Sequence, residues 1–353
     1  MNRCTRMATS SYCMLRRNVS HTLTNRAILM QQLRRWYHPP PAIAADFQGL
    51  LVDLRSDTIT KPTLGMKQAM MDALLGDDVY REDPTVKELE RRMAIYTGKE
   101  AALFVPSGTM GNLIAVLGHC ENRGCEVLLG DQAHIFLYEQ AGMAQVGSIA
   151  KSIGIPLHMD GARLMNAVIA SGESAPRILQ ACETASICLS KGLGTPVGSV
   201  IVGSEEFMYK ALRLRKVLGG GMRQAGMLAA AGLYAMDNMI NRLADDHRHA
   251  QQLAQAIYGM GSRSVKCSPA EVHTNIAIVH LTTDIITPEQ FCKRLLVVSE
   301  EEISEIGEVA IKVLPWTSDS VRFVTHFDVS SEGIEAAVAK LKYVISEVDS
   351  QLD

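Results

Sequence analysis

Short strand-like runs alternate with helical patterns from Asp53 to Met260, and this alternation restricts the chain to few folds. A strand, a helix and a second strand form a βαβ unit, which brings its two strands into a parallel sheet. We therefore predict an α/β large domain with a mainly parallel sheet. The predicted strands cover 101–105, 127–129, 155–159, 186–189 and 199–202, and the predicted helices cover 85–97, 109–118 and, as one helix or a pair, 224–258.

The pattern changes after residue 260 to a smaller α+β arrangement with enough apolar residues for its own core. Its predicted elements are strands at 274–281 and 321–325 and helices at 288–296 and 331–347. The predicted domains are thus a large domain over 46–260 and a small C-terminal α+β domain over 261–353.

The first 45 residues contain seven Arg but no Asp, Glu or Lys, and they are rich in Ser and Thr. This composition is typical of a mitochondrial transit segment, and Pro39–Pro41 separate it from the rest. No uninterrupted apolar core of the kind found in secretory signals follows the charges. The alternative is a basic tail that carries no targeting signal, in a cytoplasmic protein.

The rest of the chain is mildly acidic. Because the total net charge is -3, the residues after this basic segment carry about -10. Such a surface does not attract nucleic acid or anionic lipid, so we expect neither a nucleic-acid partner nor a membrane. The eight Cys form no Cys-x-x-Cys pair and no Cys/His metal spacing, which predicts reduced thiols and no metal site.

Lys191 and Asp160 each follow a predicted strand. In open α/β sheets, ligands bind at the carboxyl ends of strands, so an amine and an acid there can share one crevice. Pyridoxal phosphate (PLP) needs that pair: a carboxylate at the pyridine nitrogen and a lysine that forms a Schiff base with the aldehyde. The alternatives are a solvated surface lysine and an Asp160 that caps a helix over 162–170.

The turn Ser107–Asn112 follows another strand and opens a helix, so its backbone N–H groups and the Thr109 hydroxyl can hold a phosphate. A glycine turn with a capping Ser or Thr is the simpler interpretation. His134, also just past a strand, could stack on a cofactor ring, although single His residues are more often structural. Arg223 and Arg322 could bind a substrate carboxylate or form surface ion pairs.

Seven segments together resemble the low-specificity L-threonine aldolase family across residues 52–330. They are Leu54–Thr58, Gly76–Tyr80, Glu82–Val86, Phe104–Asn112, His158–Leu164, Leu189–Gly203 and Leu218–Gly226. The resemblance implies a PLP-dependent transferase-like large domain of the aspartate aminotransferase type, known as fold type I. It also implies cleavage of L-threonine and L-allo-threonine to glycine and acetaldehyde, in threonine catabolism and glycine biosynthesis.

The resemblance further implies a homo-oligomer, either a dimer or a tetramer. It also implies a role for each matching residue. Lys191 would bind the PLP aldehyde, Asp160 the pyridine nitrogen and His134 the ring face. The remaining residues would bind the phosphate (Gly108, Thr109), serve both cofactor and substrate (Arg163), contact the substrate carboxylate (Ser56, Arg322), or reach an active site across the oligomer (Arg223).

The chain departs from the family pattern in two places. Only Ser148–Gly154 separates the segment after His134 from the strand of Asp160, so a βαβ unit, roughly 30 residues or more, is missing near residue 148. Arg81 stands where the family has Gly; if φ is positive there, Arg is strained by ~1 kcal/mol or more. The chain is accordingly expected to be an active aldolase, a PLP-binding homologue without activity, or a product that does not fold stably.

Overall fold

Four strands form the central sheet in a computed structural model that describes residues 47–122, 125 and 154–352. Their spatial order is β2 (Ala101–Val105), β5 (Ser199–Gly203), β4 (Thr184–Cys188) and β3 (His158–Gly161). β3 and β4 pair in parallel, whereas β5 runs antiparallel to both β2 and β4. The α/β class is confirmed. The prediction of a mainly parallel sheet is confirmed in part: β2, β3 and β4 run in the same direction, and β5 runs in the opposite one. β5 runs the other way because the connection from β4 contains no helix, and a parallel return needs a crossover.

Helices cover both faces of this sheet. They are α1 (Leu64–Met71), α2 (Pro84–Thr97), α3 (Gly108–His119), α4 (Leu164–Ser171), α5 (Ala175–Ile178), α6 (Glu205–Val217) and α7 (Gly226–Asn238). Alternate residues of β2 point to opposite faces. Leu103 packs with α3 and α6, and Phe104 packs in the core that contains α2 and α7. The predicted end of α2 is confirmed at Gly98, which has a φ of 67°.

A second region is built on an antiparallel sheet with the order β6 (Val265–Lys266), β7 (Ile276–Leu281), β10 (Ser320–Val324) and β9 (Leu314–Pro315). A separate parallel pair joins β1 (Leu50–Asp53) to β8 (Val309–Lys312). The helices are α8 (Leu243–Gly259), α9 (Pro288–Leu296), α10 (Glu300–Ile306) and α11 (Ser331–Ser350). Its core also contains Val52 and Leu253. The described residues from Gln48 onward form one compact unit, so the boundary near residue 260 stays a prediction.

Asp83 connects three segments of the large region from a fully buried position. One carboxylate oxygen accepts the Thr85 and Val86 N–H groups, each at 3.0 Å, and so caps α2. The other accepts the N–H of Gly76 at 3.2 Å and that of Gly226 at 2.9 Å. A Cβ on Gly226 would lie 2.6 Å from Asp83 Oδ1, so glycine is required for this approach.

We expect Asp83→Ala to lower the free energy of unfolding by about 3 kcal/mol or more, because it removes an N-cap and leaves four N–H groups without their acceptor. Urea denaturation followed by circular dichroism measures this loss. Asp72→Ala is the control: Asp72 is exposed, and among the described residues its side chain accepts only from the Gln68 side chain, so its loss should stay within about 0.5 kcal/mol. Equal losses for the two variants would contradict the role of Asp83.

Candidate active site

The carboxyl ends of β2, β3 and β4 lie at one edge of the central sheet. Val105 and Cys188, the last residues of β2 and β4, both pair with Ser199 of β5. Gly161, the last residue of β3, pairs with Ile187 of β4. The structure therefore brings three predicted site segments to the same edge: the Ser107–Asn112 turn after β2, Asp160 in β3, and Lys191 after β4.

Asp57 and Arg163 form a buried ion pair beside this edge. Arg163 Nε donates to Asp57 Oδ2 at 2.9 Å, and Nη2 donates to Oδ1 at 2.7 Å. The Arg163 side chain is 9% exposed and that of Asp57 is 0% exposed. Asn275 Nδ2 donates a third hydrogen bond to Asp57 Oδ2 at 3.2 Å. The guanidinium of Arg163 is thus fixed in place by a carboxylate 106 residues away.

Three positive charges surround Asp57. Burial alone raises the pKa of Asp57, but the charge and hydrogen bonds of Arg163, the hydrogen bond of Asn275 and the charge of Lys191 outweigh it and hold the pKa below its usual value. Burial lowers the pKa of Arg322, the nearby Arg163 lowers it further, and Asp57 opposes them. Arg163, Lys191 and Arg322 outnumber the carboxylates of Asp57 and Asp160. The nearby Asp246 pairs with Arg242, so a net positive charge remains, which suits an anionic ligand.

Arg322 extends from β10 towards this group. Its guanidinium carbon lies 4.5 Å from the centre of the Trp316 ring, a distance at which cation and ring attract each other. Among the described residues, its buried Nε has no hydrogen-bond partner. A buried donor of this kind is available to a ligand carboxylate.

The turn after β2 has the geometry of an anion-binding site. Ser107 caps α3 by accepting the Met110 N–H at 3.2 Å, and the N-terminus of α3 points to the common edge. A Cβ on Gly108 would lie 3.4 Å from Ser199 Oγ, and one on Gly111 would lie 2.4 Å from Ser186 Oγ. Glycine at position 111 therefore lets the helix start close against the sheet.

Asp160 does not cap the helix that follows it. Its Oδ1 accepts the Ala162 N–H at 3.1 Å, and α4 begins only at Leu164, with Arg163 at the N-cap position and no side-chain cap. The N-cap alternative is therefore wrong. The residue is exposed at the edge, where a carboxylate can meet a protonated ring nitrogen.

The loop of Lys191 is fixed through its backbone. The Lys191 carbonyl accepts the Gly194 N–H at 2.8 Å and the Thr60 hydroxyl at 3.2 Å. The same Thr60 hydroxyl lies 2.9 Å from the Asp57 carbonyl. Ser56 caps the short 3-10 helix Asp57–Ile59 through its hydroxyl. Lys191 and Ser56 are therefore both attached to the segment that carries the buried ion pair.

One of the predicted site residues that the structure describes is not brought to this cluster. Arg223 pairs with Asp77 at 2.7 Å and lies 5.8 Å from the Tyr80 ring centre, with 54% of its side chain exposed. His134 lies outside the described residues.

Sequence reasoning missed Asp57 and Asn275. Asp57 belongs to the Leu54–Thr58 motif, but nothing local distinguishes it from its polar neighbours. Asn275 lies 218 residues from Asp57, a separation that no local pattern covers. The available signal was the position of Asp57 directly after Arg55 and Ser56, but within the motif this position does not indicate an ion pair.

Arg81 has a φ of 58° and a ψ of 39°, which confirms the left-handed backbone expected at this departure from the family. It is the one non-glycine residue with positive φ in the described part of the chain. Its guanidinium donates to Asp78 Oδ1 at 3.0 Å and also pairs with the buried Glu90. These ion pairs offset the strain, which is about 1 kcal/mol or more.

The edge therefore offers the groups that PLP requires. The N-terminus of α3 and the excess positive charge suit a phosphate, Asp160 suits the pyridine nitrogen, and Lys191 suits the aldehyde. No three metal-binding side chains come together within residues 47–122 and 154–352. Within the same ranges, no helix is long and apolar enough to cross a membrane.

Comparison with known proteins agrees with this chemistry. A family model described as beta-eliminating lyase matches residues 53–149 and 141–283. Probable low-specificity L-threonine aldolase 2 of Arabidopsis thaliana is 40% identical over an alignment of 347 positions, which covers 80% of this chain and 94% of that protein. The low specificity L-threonine aldolase of Escherichia coli (strain K12) is 37% identical over an alignment of 348 positions, which covers 82% of this chain and 98% of that protein.

Solved structures share the fold. A putative L-allo-threonine aldolase from Listeria monocytogenes EGD-E superposes with a TM-score of 0.64 at 20% identity, covering 83% of this chain and 96% of that one. Plasmodium falciparum ornithine delta-aminotransferase superposes with a TM-score of 0.64 at 11% identity, covering 92% and 99%. These likenesses confirm the aminotransferase-type fold and nothing finer.

The comparisons also bear out the internal deletion. Because 80% of 353 residues is about 282, about 65 of the 347 positions aligned with the Arabidopsis protein have no residue of this chain opposite them. The two stretches that match the family model meet at 141–149. These values agree with a gap near residue 148 relative to the family, of roughly 30 residues or more. With the motifs on either side intact, the chain belongs to the low-specificity L-threonine aldolase family.

Proposed function

We propose that this chain is a PLP-dependent threonine aldolase, a carbon-carbon lyase that splits L-threonine and L-allo-threonine into glycine and acetaldehyde. The observation that supports this most is the common edge of β2, β3 and β4, where Lys191, Asp160 and the Ser107–Asn112 turn meet beside an excess of positive charge. A lyase acting on an amino acid needs both an electron-accepting cofactor and a cationic site for the carboxylate.

In this proposal, Lys191 binds the PLP aldehyde, Asp160 the pyridine nitrogen, and Gly108 and Thr109 the phosphate. When bound, PLP supplies the electron sink that breaking the Cα–Cβ bond requires. Asp160 keeps a negative charge at the ring nitrogen, so its effect falls on the transition state more than on binding.

The substrate carboxylate is assigned to Arg322 and Ser56, with Arg163 beside them. Arg322 has a buried Nε without a partner among the described residues, so a carboxylate can satisfy it. Arg163 is already held by Asp57, and it adds charge to the site from a fixed position. His134 is proposed to stack on the cofactor ring and to relay protons.

The proposal includes a homo-oligomer in which Arg223 reaches a neighbouring active site. Large apolar side chains are exposed on and after α1, including Leu64 at 83%, Met71 at 76% and Leu74 at 72%. Tyr80, 71% exposed, lies beside Arg223. An exposed apolar surface of this kind is typical of a subunit interface. Residues 1–45 are proposed to direct the chain to mitochondria.

The second candidate is a PLP-binding homologue with impaired activity, and the deletion favours it. Among the described strands, β3, which carries Asp160, pairs only with β4. A site whose strands shift by about 1 Å can lose about a hundredfold in rate.

The test is acetaldehyde release from L-threonine by the purified protein with added PLP, beside the variant Lys191→Ala. We expect slow release by the native chain and none above background by the variant. Cofactor absorbance without acetaldehyde release would support the second candidate. Absence of both would contradict the proposed function.

A further inference from the structure

We propose that His158 is a positioning residue that, with Thr184, His119 and Asn112, fixes β3 against β4 and α3 and so places Asp160 relative to the phosphate turn. The expected effect on PLP binding rests on the proposed function, whereas the hydrogen-bond network itself does not depend on a cofactor.

Three hydrogen bonds link these side chains. His158 Nε2 lies 3.0 Å from Asn112 Oδ1, and His158 Nδ1 lies 2.9 Å from Thr184 Oγ1. His119 Nε2 lies 2.9 Å from the same Thr184 Oγ1. These contacts join α3, through Asn112 and its last residue His119, to β3 and β4.

The chemistry of the acceptors fixes the direction of every bond. Asn112 Oδ1 can only accept, so His158 must carry its proton on Nε2. A neutral His158 then accepts at Nδ1, and the Thr184 hydroxyl donates its one proton there. Thr184 Oγ1 is left as the acceptor for His119 Nε2–H. Both rings are thus held in the Nε2–H form.

The environment keeps His158 neutral. The pKa of His158 is lowered to about 4: burial is the largest cause, the nearby His119 also lowers it, and Asp160 and Thr184 oppose them. Burial also lowers the pKa of His119, with Glu183 opposing and Lys210 assisting. The His119 ring stacks on Phe207 with centres 4.6 Å apart, which holds the far end of the network. Neutral rings with one fixed tautomer give a single hydrogen-bond pattern at neutral pH.

The position of the network connects it to the site. His158 precedes Asp160 by two residues on β3, so both side chains point to the same face of the strand. Asn112 belongs to the helix whose first turn is the phosphate turn. Because β3 has one partner among the described strands, this network adds side-chain support to that pairing.

Thr184→Val is the sharpest test, because it keeps the shape of the side chain and removes only the hydroxyl. Thr97→Val is the matched control: both Thr residues are 1% exposed, but the Thr97 hydroxyl donates within α2, to Met93 at 2.7 Å. Thr184→Ser should restore native behaviour, since it returns the hydroxyl.

The first readout is hydrogen exchange in the protein without cofactor. We expect Thr184→Val to speed exchange at least about tenfold in His158–Gly161 and in Gly108–His119 relative to Thr97→Val. Equal exchange in these segments for the two variants would overturn the proposal, whether or not the protein binds PLP.

The second readout is PLP affinity from the visible absorption of the bound cofactor. Thr184→Val should weaken PLP binding about tenfold, with Thr97→Val and Thr184→Ser close to native. If native protein binds PLP and Thr184→Val binds it equally well, the network has no positioning role. If native protein binds none, the proposed function fails, and the exchange experiment still decides the structural claim.

Discussion

A chain that carries a βαβ segment from a complete relative between Gly147 and Ile149 is expected to cleave L-threonine with a kcat/KM about a hundredfold or more above that of the native chain. The strand of Asp160 has one partner among the described strands, and a displacement of ~1 Å can cost about a hundredfold. The family resemblance implies that the missing segment lines the pocket beside the substrate hydroxyl, and a general base supplied there would add a factor of typically ~10²–10⁴. Both losses fall on one step, so they need not multiply.

The measurement is acetaldehyde release under identical PLP saturation, with Lys191→Ala in both backgrounds as the control. The variant should abolish release in each, which shows that the same lysine acts with and without the insert. Equal kcat/KM for the native and the restored chains would show that the deletion is harmless to the reaction.

Asp57→Asn is expected to lower the free energy of unfolding by about 3–5 kcal/mol, because it leaves the Arg163 guanidinium buried without its counter-charge. Asp53→Asn is the matched control. Asp53 also pairs with an arginine, Arg55, but those side chains are 20% and 22% exposed, so the expected loss is below about 1 kcal/mol. Urea denaturation at pH 7 compares the two; similar losses would mean that burial of the Asp57 pair contributes little.

The pH dependence of stability provides a second check on Asp57. Its folded-state pKa lies below the usual value, so its contribution is present above the unfolded pKa of about 3.9 and is lost as the pH falls through the folded pKa. The native chain should therefore lose this stability in acid, whereas Asp57→Asn should show a flatter acid limb. Parallel acid limbs for the two proteins would contradict the assigned shift.

The sequence predicted the elements whose patterns are local. Alternation and turn residues placed β2 at 101–105, and helical spacing with Gly98 placed α2, because apolar periodicity is read directly from the chain. β1 and β8 were missed because each is a strand of four residues whose partner lies more than 250 residues away.

The same limit applies to the candidate site. The positions of Lys191, Asp160 and the Ser107–Asn112 turn at one edge followed from the rule that strand ends collect ligands. The pairing of Asp57 with Arg163 did not, because an ion pair across 106 residues depends on packing that no local window contains. The antiparallel direction of β5 was also missed, although the connection from β4 has no helix and a parallel return needs a crossover.

The central claim is that Lys191 holds the cofactor, and borohydride reduction of the PLP-loaded protein tests it most directly. Reduction fixes PLP covalently to the lysine that holds its aldehyde, and mass spectrometry of the peptides then identifies that lysine. We predict the label on the peptide that contains Lys191 and no label in Lys191→Ala. A label on Lys210, which is partly exposed and paired with Glu121, or on any other lysine, would contradict the account.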